Sequence, residues 1–391
     1  MRWPVKTSRH FCYGGCVVTD HLAGLPREAR GFWHRPHETD LDQVRATLAE
    51  LKRLNMNQLF VETWFGGRLI FPHPDAVLPP HDFVGHYGPY GRHLLKAFIE
   101  EGAKSGIDVH AWVENFFIGI HHKDNPVPFL KDRQDWVLVN HDGSTRQKHE
   151  ADYVFLDPAN TQVLDHLERL YDAMVDLEGL ASLHLDYIRY PVAYRTEMPD
   201  YHDDHGFTHV AENRFKLEYG YHGDVRVLVL QSKACRQDWH RFKIRQINGF
   251  VERLTTRYRK RIRISTAVFG NPAHALDVKC QDWQTWIKRG WIDILVPMAY
   301  DQDVDRVASE IRQMCQINQE RCALYAGLAP GYLGLGVEHV IAQVEAVRQT
   351  CVQGVVLFAT QNHLVRHFMG TSPGHEHDQD VLVNTVFKPI G

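Results

Sequence analysis

Eight short apolar runs of strand character recur along the 391-residue chain, with amphipathic helical stretches between them. The runs span residues 30–35, 58–64, 108–115, 182–190, 263–270, 293–300, 323–329 and 354–360. Helical periodicity fills 40–54, 90–105, 161–177, 238–260, 282–289, 304–316 and 337–350. Strands that alternate with helices are joined by crossovers, which makes their sheet parallel. Eight such strands predict a single closed (β/α)8 TIM barrel of the α/β class. An open doubly wound sheet is the rival architecture. Its usual glycine-rich turn, GxGxxG, does not follow the early strands, and Gly14-Gly15 and Gly66-Gly67 are isolated pairs.

A barrel of this kind needs about 250 residues. The surplus divides into an N-terminal arm over 1–29, two insertions in the 30–370 barrel, and a tail over 371–391. The insertions lie near 119–160 and 192–236, after the third and fourth strands, and Asp142-Gly143 reads as a hairpin turn in the first. Asp40 is placed to cap a helix start, and Gly106 and Gly290 to end helices. The polar stretch 370–380 is expected to be loose.

The 44 basic and 48 acidic side chains leave a net charge of −4, so there is no basic field to attract nucleic acid. No segment reaches the roughly 20 apolar residues of a membrane span, so membrane insertion is not expected. Seven scattered cysteines without CxxC pairs predict a reduced, cytoplasmic chain rather than a disulfide framework or zinc site. The short apolar run 11–18 is interrupted by glycines and cysteines and makes a poor signal peptide.

Barrel enzymes carry their chemistry at the C-terminal ends of the strands. Side chains on a strand alternate between the barrel interior and the helix layer. If Leu59 and Val61 face the helices, then Phe60, Glu62 and Trp64 face inward. The same alternation turns His110, Trp112 and Glu114 inward on the third strand, and His184 and Asp186 on the fourth. Three inward carboxylates on adjacent strands cost several kcal/mol unless paired or hydrated. Each alone has a plain structural reading: Glu62 paired with Arg68, Glu114 on a backbone N–H, Asp186 held by Arg189 or His184. Together, beside Trp64 and Trp112, they point to a site. Glycoside hydrolysis needs two carboxyl groups and benefits from aromatic platforms. Neighbouring strands lie about 4.8 Å apart, which spaces Glu114 and Asp186 for a retaining reaction and Glu62 and Asp186 for an inverting one. Asp186 is assigned as nucleophile or base and Glu114 as general acid. Asp301 after the sixth strand is a reserve acid, and Tyr300 beside it a sugar contact. No cofactor is required.

The stretch His184-Leu185-Asp186-Tyr187-Ile188-Arg189-Tyr190-Pro191 resembles the fourth strand of the bacterial glycosyl-hydrolase-like 10 family of (β/α)8 barrels. Further agreements follow in order: Arg30-Gly31-Phe32-Trp33, Val109-His110-Ala111-Trp112, Phe155-Leu156-Asp157-Pro158, Gln281-Asp282-Trp283, and Pro297-Met298-Ala299-Tyr300. The resemblance implies hydrolysis of an oligosaccharide or polysaccharide, in some members peptidoglycan strands stripped of their peptides. It carries over to Asp186, Tyr187, Arg189, His110 and Trp112. The chain departs from the family at Glu114-Asn115, where many members have Asn-Pro, and at Glu62-Thr63-Trp64, where many have Gln-Val-Arg.

Two other readings compete. A metal-dependent hydrolase would draw on His202-Asp203-Asp204-His205, His121-His122, His375 and His377, but the fifth, sixth and eighth strands lack the His and Asp such a site needs. A non-catalytic glycan-binding barrel would use the same Trp, Tyr and Arg residues without requiring the carboxylates. Asp157-Pro158 reads as a helix start, and Trp283, Trp286 and Trp291 as core.

Overall fold

The computed structural model describes residues 24–74, 78–120, 127–147, 149–193, 203–359 and 375–389. Eight parallel strands form the barrel: β1 (Ala29–His34), β2 (Gln58–Phe65), β3 (Asp108–Glu114), β4 (Leu180–Asp186), β5 (Arg263–Phe269), β6 (Ile294–Met298), β7 (Ala323–Leu328) and β8 (Gly354–Phe358). Each pairs with its neighbour in sequence, and β1 pairs with both β2 and β8, so the ring is closed.

Alternation along the strands divides the apolar residues into two clusters. Leu59, Val61, Val109, Ala111, Val113, Leu183 and Leu185 pack outward against the helices. Trp33, Phe60, Trp112, Val296, Tyr325 and Val356 fill the interior. The helices follow from local signals. Asp40 Oδ1 accepts the Gln43 N–H at 2.9 Å at the start of Leu41–Arg53, and Val44, Leu48 and Leu51 form its buried stripe. Gly106, at φ 72°, ends Leu94–Ser105 in the left-handed conformation that glycine tolerates.

Both insertions rise from the C-terminal face, where loops after the strands belong. In the first, Phe117–Ile120 pairs antiparallel with Tyr153–Phe155. Gly143, at φ 84°, donates its N–H to the Asn140 carbonyl at 3.0 Å in the expected turn. The second carries helices His209–Tyr219 and Val225–Gln231 over a small core of Phe207, Phe215, Trp239 and Phe242. The fully buried Lys243 ammonium bonds Asp204 and ties this insertion to helix Lys233–Tyr258.

Several expectations need correction. Helix Thr161–Asp172 is capped by Asn160, not Asp157. Asp157 is buried and accepts from Ala159 N–H and from the Thr208 hydroxyl, so it joins the two insertions instead. The tail contains helix His375–Thr385, and Leu382, Val386 and Phe387 are buried. Arg348 and Asn55 donate to the Val386 and Phe387 carbonyls, fixing this segment against the barrel. Trp283 and Trp286 are core, as read. Residues 1–23, His121-His122 and His202 lie outside the described residues.

The cysteines are not all reduced. Cys315 and Cys351 are joined, with Cα atoms 5.8 Å apart and a sequence separation of 36. The bond links helix Val304–Asn318 to the turn before β8, a proximity that residue spacing does not reveal. Reduction is expected to lower stability by about 2–4 kcal/mol. Urea unfolding with and without dithiothreitol measures this, and identical midpoints would count against the bond.

Candidate active site

The three carboxylates converge as alternation requires. Glu114 and Asp186 are opposed in the β3–β4 register, and Glu62 lies on the adjoining β2. Arg35, just past β1, reaches into the ring; its guanidinium lies 3.3 Å from Glu62 and 3.5 Å from Glu114. Glu62 therefore pairs with Arg35 rather than Arg68, which binds Asp82 at 2.9 Å and the Pro80 carbonyl outside the site.

Glu62 and Glu114 are 1% and 2% exposed, and their side chains are hydrogen-bonded to each other. Burial raises both pKa values above the usual glutamate range. The neighbouring Glu62 charge pushes Glu114 further up, while Arg35 opposes the shift in both. One permanently charged guanidinium between two buried carboxyls fits a pair that shares a proton, ionised Glu62 accepting from protonated Glu114.

Asp186 differs in that it faces open space. Trp112 donates its indole N–H to Oδ2 at 3.0 Å, and the Tyr187 N–H donates to Oδ1 at 2.6 Å. Burial raises the Asp186 pKa, opposed by Tyr187 N–H, Arg189, Trp112 and Arg35. Behind it, the Asn115 N–H and side-chain amide both donate to the Asp186 carbonyl, at 3.0 and 2.9 Å. The buried Tyr171 hydroxyl bonds the Asn115 carboxamide oxygen in turn.

Asp186 opens into a cavity of about 530 Å³ walled by Trp33, Trp112, Tyr187, Tyr300 and Phe358, with Arg35, Glu150 and Arg189 at its edges. Arg189 reaches it because β4 stops at Asp186, where Tyr187 turns to φ 51°. Its guanidinium is bidentate to Glu150 at 2.7 and 3.1 Å and lies over the Phe155, Tyr187 and Phe269 rings. Glu150 also accepts from Val192 N–H at 2.7 Å, and Lys279 stands 3.8 Å away. Burial, and Arg189 next, lower Lys279 to about 6, while Glu150 works against the shift.

His110 and His184 face inward but lie below the cavity in a hydrogen-bonded row. The donor-only Trp33 indole gives its N–H to His184 Nε2 at 2.9 Å, which leaves the proton on Nδ1, directed at Ser265 Oγ at 2.9 Å. The row continues from Ser265 to Ser182 at 2.7 Å, to His110 Nδ1 at 2.7 Å, and from His110 Nε2 to Gln58 at 2.9 Å. Burial keeps both imidazoles neutral, with His110 pushed down to about 3. These histidines therefore hold Trp33 rather than touch the cavity.

Trp64 departs from the alternation. The β2–β3 register shifts between Glu62 and Trp64, and the bulge turns the indole outward onto Phe129 and His166. Asp301 lies in a separate chamber of about 240 Å³ that shares Phe269, Met298 and Tyr300 with the main cavity. Burial and Asp301 together raise the neighbouring Glu310 to about 7. Of the metal-ligand candidates, Asp204 is bonded to Lys243, and His205 Nε2 lies 2.6 Å from the Pro191 carbonyl. Among the described residues, no group of three His, Cys, Asp or Glu side chains is arranged to hold a metal ion.

Arg35, Phe358 and Glu150 are not singled out by the sequence, and Trp33 enters there only within the Arg30-Gly31-Phe32-Trp33 agreement. Arg35 had a signal, since Trp33 faces inward and two residues on the chain returns to the same side. Glu150 had none.

A consequence of the carboxyl pair is testable. Glu62 and Glu114 bind a proton more tightly folded than unfolded, so the native state holds more protons above the ordinary glutamate value of 4.5. Stability must then fall as pH rises through that range. Glu114→Gln lacks the proton and is expected to flatten the decline above the ordinary glutamate value in urea midpoints. Parallel curves would contradict the shared proton.

Comparison with known proteins agrees with this architecture. The catalytic domain of a beta-amylase from Paenibacillus polymyxa superimposes with a TM-score of 0.60, covering 94% of this chain and 100% of that one at 14% identity. A beta-galactosidase from Marinomonas ef1 gives 0.56, covering 85% of this chain and 54% of that one at 11% identity. At these identities the likeness is one of fold. Glycosyl hydrolase DigH of Escherichia coli K12 is 22% identical over 273 residues, 65% of this chain and 56% of that protein, and DigH of Shigella flexneri matches equally. The chain thus spans little more than half the length of these relatives. The sequence profile of glycosyl hydrolase-like 10 matches residues 28–335, and with its glycosidase-like barrel this chain belongs to that family.

Proposed function

We propose that this barrel hydrolyses a glycosidic bond at Asp186. The observation that carries the reading is a fixed carboxylate, bonded on each oxygen by one N–H donor, facing an aromatic-walled cavity. Asp186 serves as nucleophile or base. Glu114, kept protonated by burial beside Glu62, is the group suited to protonate the leaving oxygen. Arg35 stands between Glu114 and the cavity, so the acid acts after the guanidinium swings toward a bound sugar. Family resemblance directs the first assays to peptidoglycan strands stripped of peptide, then to amylose and galactosides. New reducing ends are the expected product, and none across that panel removes the catalytic reading.

A glycan-binding barrel without turnover is the second reading. It is favoured by the position of Glu62 and Glu114 beneath Arg35, which leaves Asp186 and the ion-paired Glu150 as the carboxylates of the cavity wall. Bound glycan with no product would select it.

No helix among the described residues is long and apolar enough to cross a membrane. We propose a cytoplasmic location from the scattered cysteines and the poor signal-peptide run; the Cys315–Cys351 bond, of a kind that persists mainly in oxidising surroundings, supports a secreted location as the alternative.

A further inference from the structure

Tyr332 stands on the one-turn helix Pro330–Leu333 after β7. Its side chain is 69% exposed, and of the large hydrophobics exposed among the described residues it is the one that lines the Asp186 cavity. A lone exposed ring needs no explanation. This one continues a row. Its centroid lies 6.5 Å from Tyr300, Tyr300 lies 5.8 Å from Phe358, and Phe358 lies 6.3 Å from Trp112, the ring that holds Asp186. Four rings therefore lead from the carboxylate to solvent.

The turn beneath Tyr332 is pinned. Leu333 N–H donates to the Ala329 carbonyl at 3.0 Å, Leu335 N–H to Pro330 at 2.9 Å, and the Gln302 amide to Leu333 at 3.3 Å. A ring on a fixed backbone loses little freedom when a ligand covers it. The CH face of a pyranose matches a flat ring that is apolar in the middle and polar at its tip, while the sugar's hydroxyl rim stays in water.

We propose that Tyr332 is an outer sugar platform, so that the ligand is a chain of at least two sugar residues, one at Asp186 and another stacked on Tyr332. This rests on the glycan reading above and adds the length requirement. The test is calorimetric titration of wild type, Tyr332→Ala and Tyr332→Phe with cello-, malto-, chito- and peptide-free peptidoglycan oligosaccharides of one to six units. Wild-type affinity is expected to rise with length in at least one series. Tyr332→Ala should lose roughly threefold to tenfold for the longer members, leave the shortest binder unchanged, and keep the wild-type melting temperature. Tyr332→Phe should bind as wild type, because the ring and not the hydroxyl does the stacking. Unchanged length dependence in Tyr332→Ala overturns the platform alone. Wild type that binds no member of the panel overturns the glycan reading, and the platform with it.

Discussion

Asp186→Asn is expected to lower kcat on any cleaved glycan by roughly 10²–10⁴-fold while leaving binding nearly intact. The substitution preserves the shape of the group and one acceptor oxygen, so either the Trp112 indole or the Tyr187 N–H keeps its partner. It removes the charge and nucleophilicity that a carboxylate brings to an oxocarbenium-like transition state. Initial rates with matched binding isotherms separate the two effects. Equal turnover by variant and wild type would show that the chemistry lies elsewhere on the barrel. Glu114→Gln should also lose kcat, but least on substrates with good leaving groups, since its task is to protonate the departing oxygen.

Glu150→Ala should destabilise the fold by about 3–5 kcal/mol, because it leaves a buried charge without its partner. Arg189 is 5% exposed and its guanidinium cannot shed a proton. What remains around it are the Tyr190 carbonyl at 3.1 Å, three aromatic rings and the weaker, through-space attraction of Asp186. Lys279 faces the same space and can relieve the repulsion by losing its proton, since its pKa is already down to about 6. Arg189 has no such escape. The double substitution Glu150→Met with Arg189→Met should recover most of the stability, as apolar replacements of buried ion pairs often do. Urea midpoints of wild type, Glu150→Met, Arg189→Met and the double variant complete the cycle. A Glu150→Ala midpoint equal to wild type would show that this ion pair carries no net stability.

Alternation along three strands identified Glu62, Glu114 and Asp186 because one face of each strand had to meet the helix layer. It also contained the depth of the histidines: His184 precedes Asp186 by two residues and so lies one layer lower, away from the cavity. The same rule missed Trp64, where a bulge near the end of β2 turns the indole outward. It left Arg189 open, and the left-handed turn at Tyr187 decided the matter by ending β4. Glu150 and the Cys315–Cys351 pair left no local trace, since their partners lie on other elements.

Apolar periodicity alone required eight strands alternating with helices and an inward acidic set, because both follow from burying one side of each element. Closing the ring then chose among the acids. Arg35, just past β1, covers Glu62 and Glu114, and Asp186 is left at the cavity with its donors already in place. Solvent access and charge pairing depend on neighbours from distant parts of the chain, which no pattern within a single segment encodes.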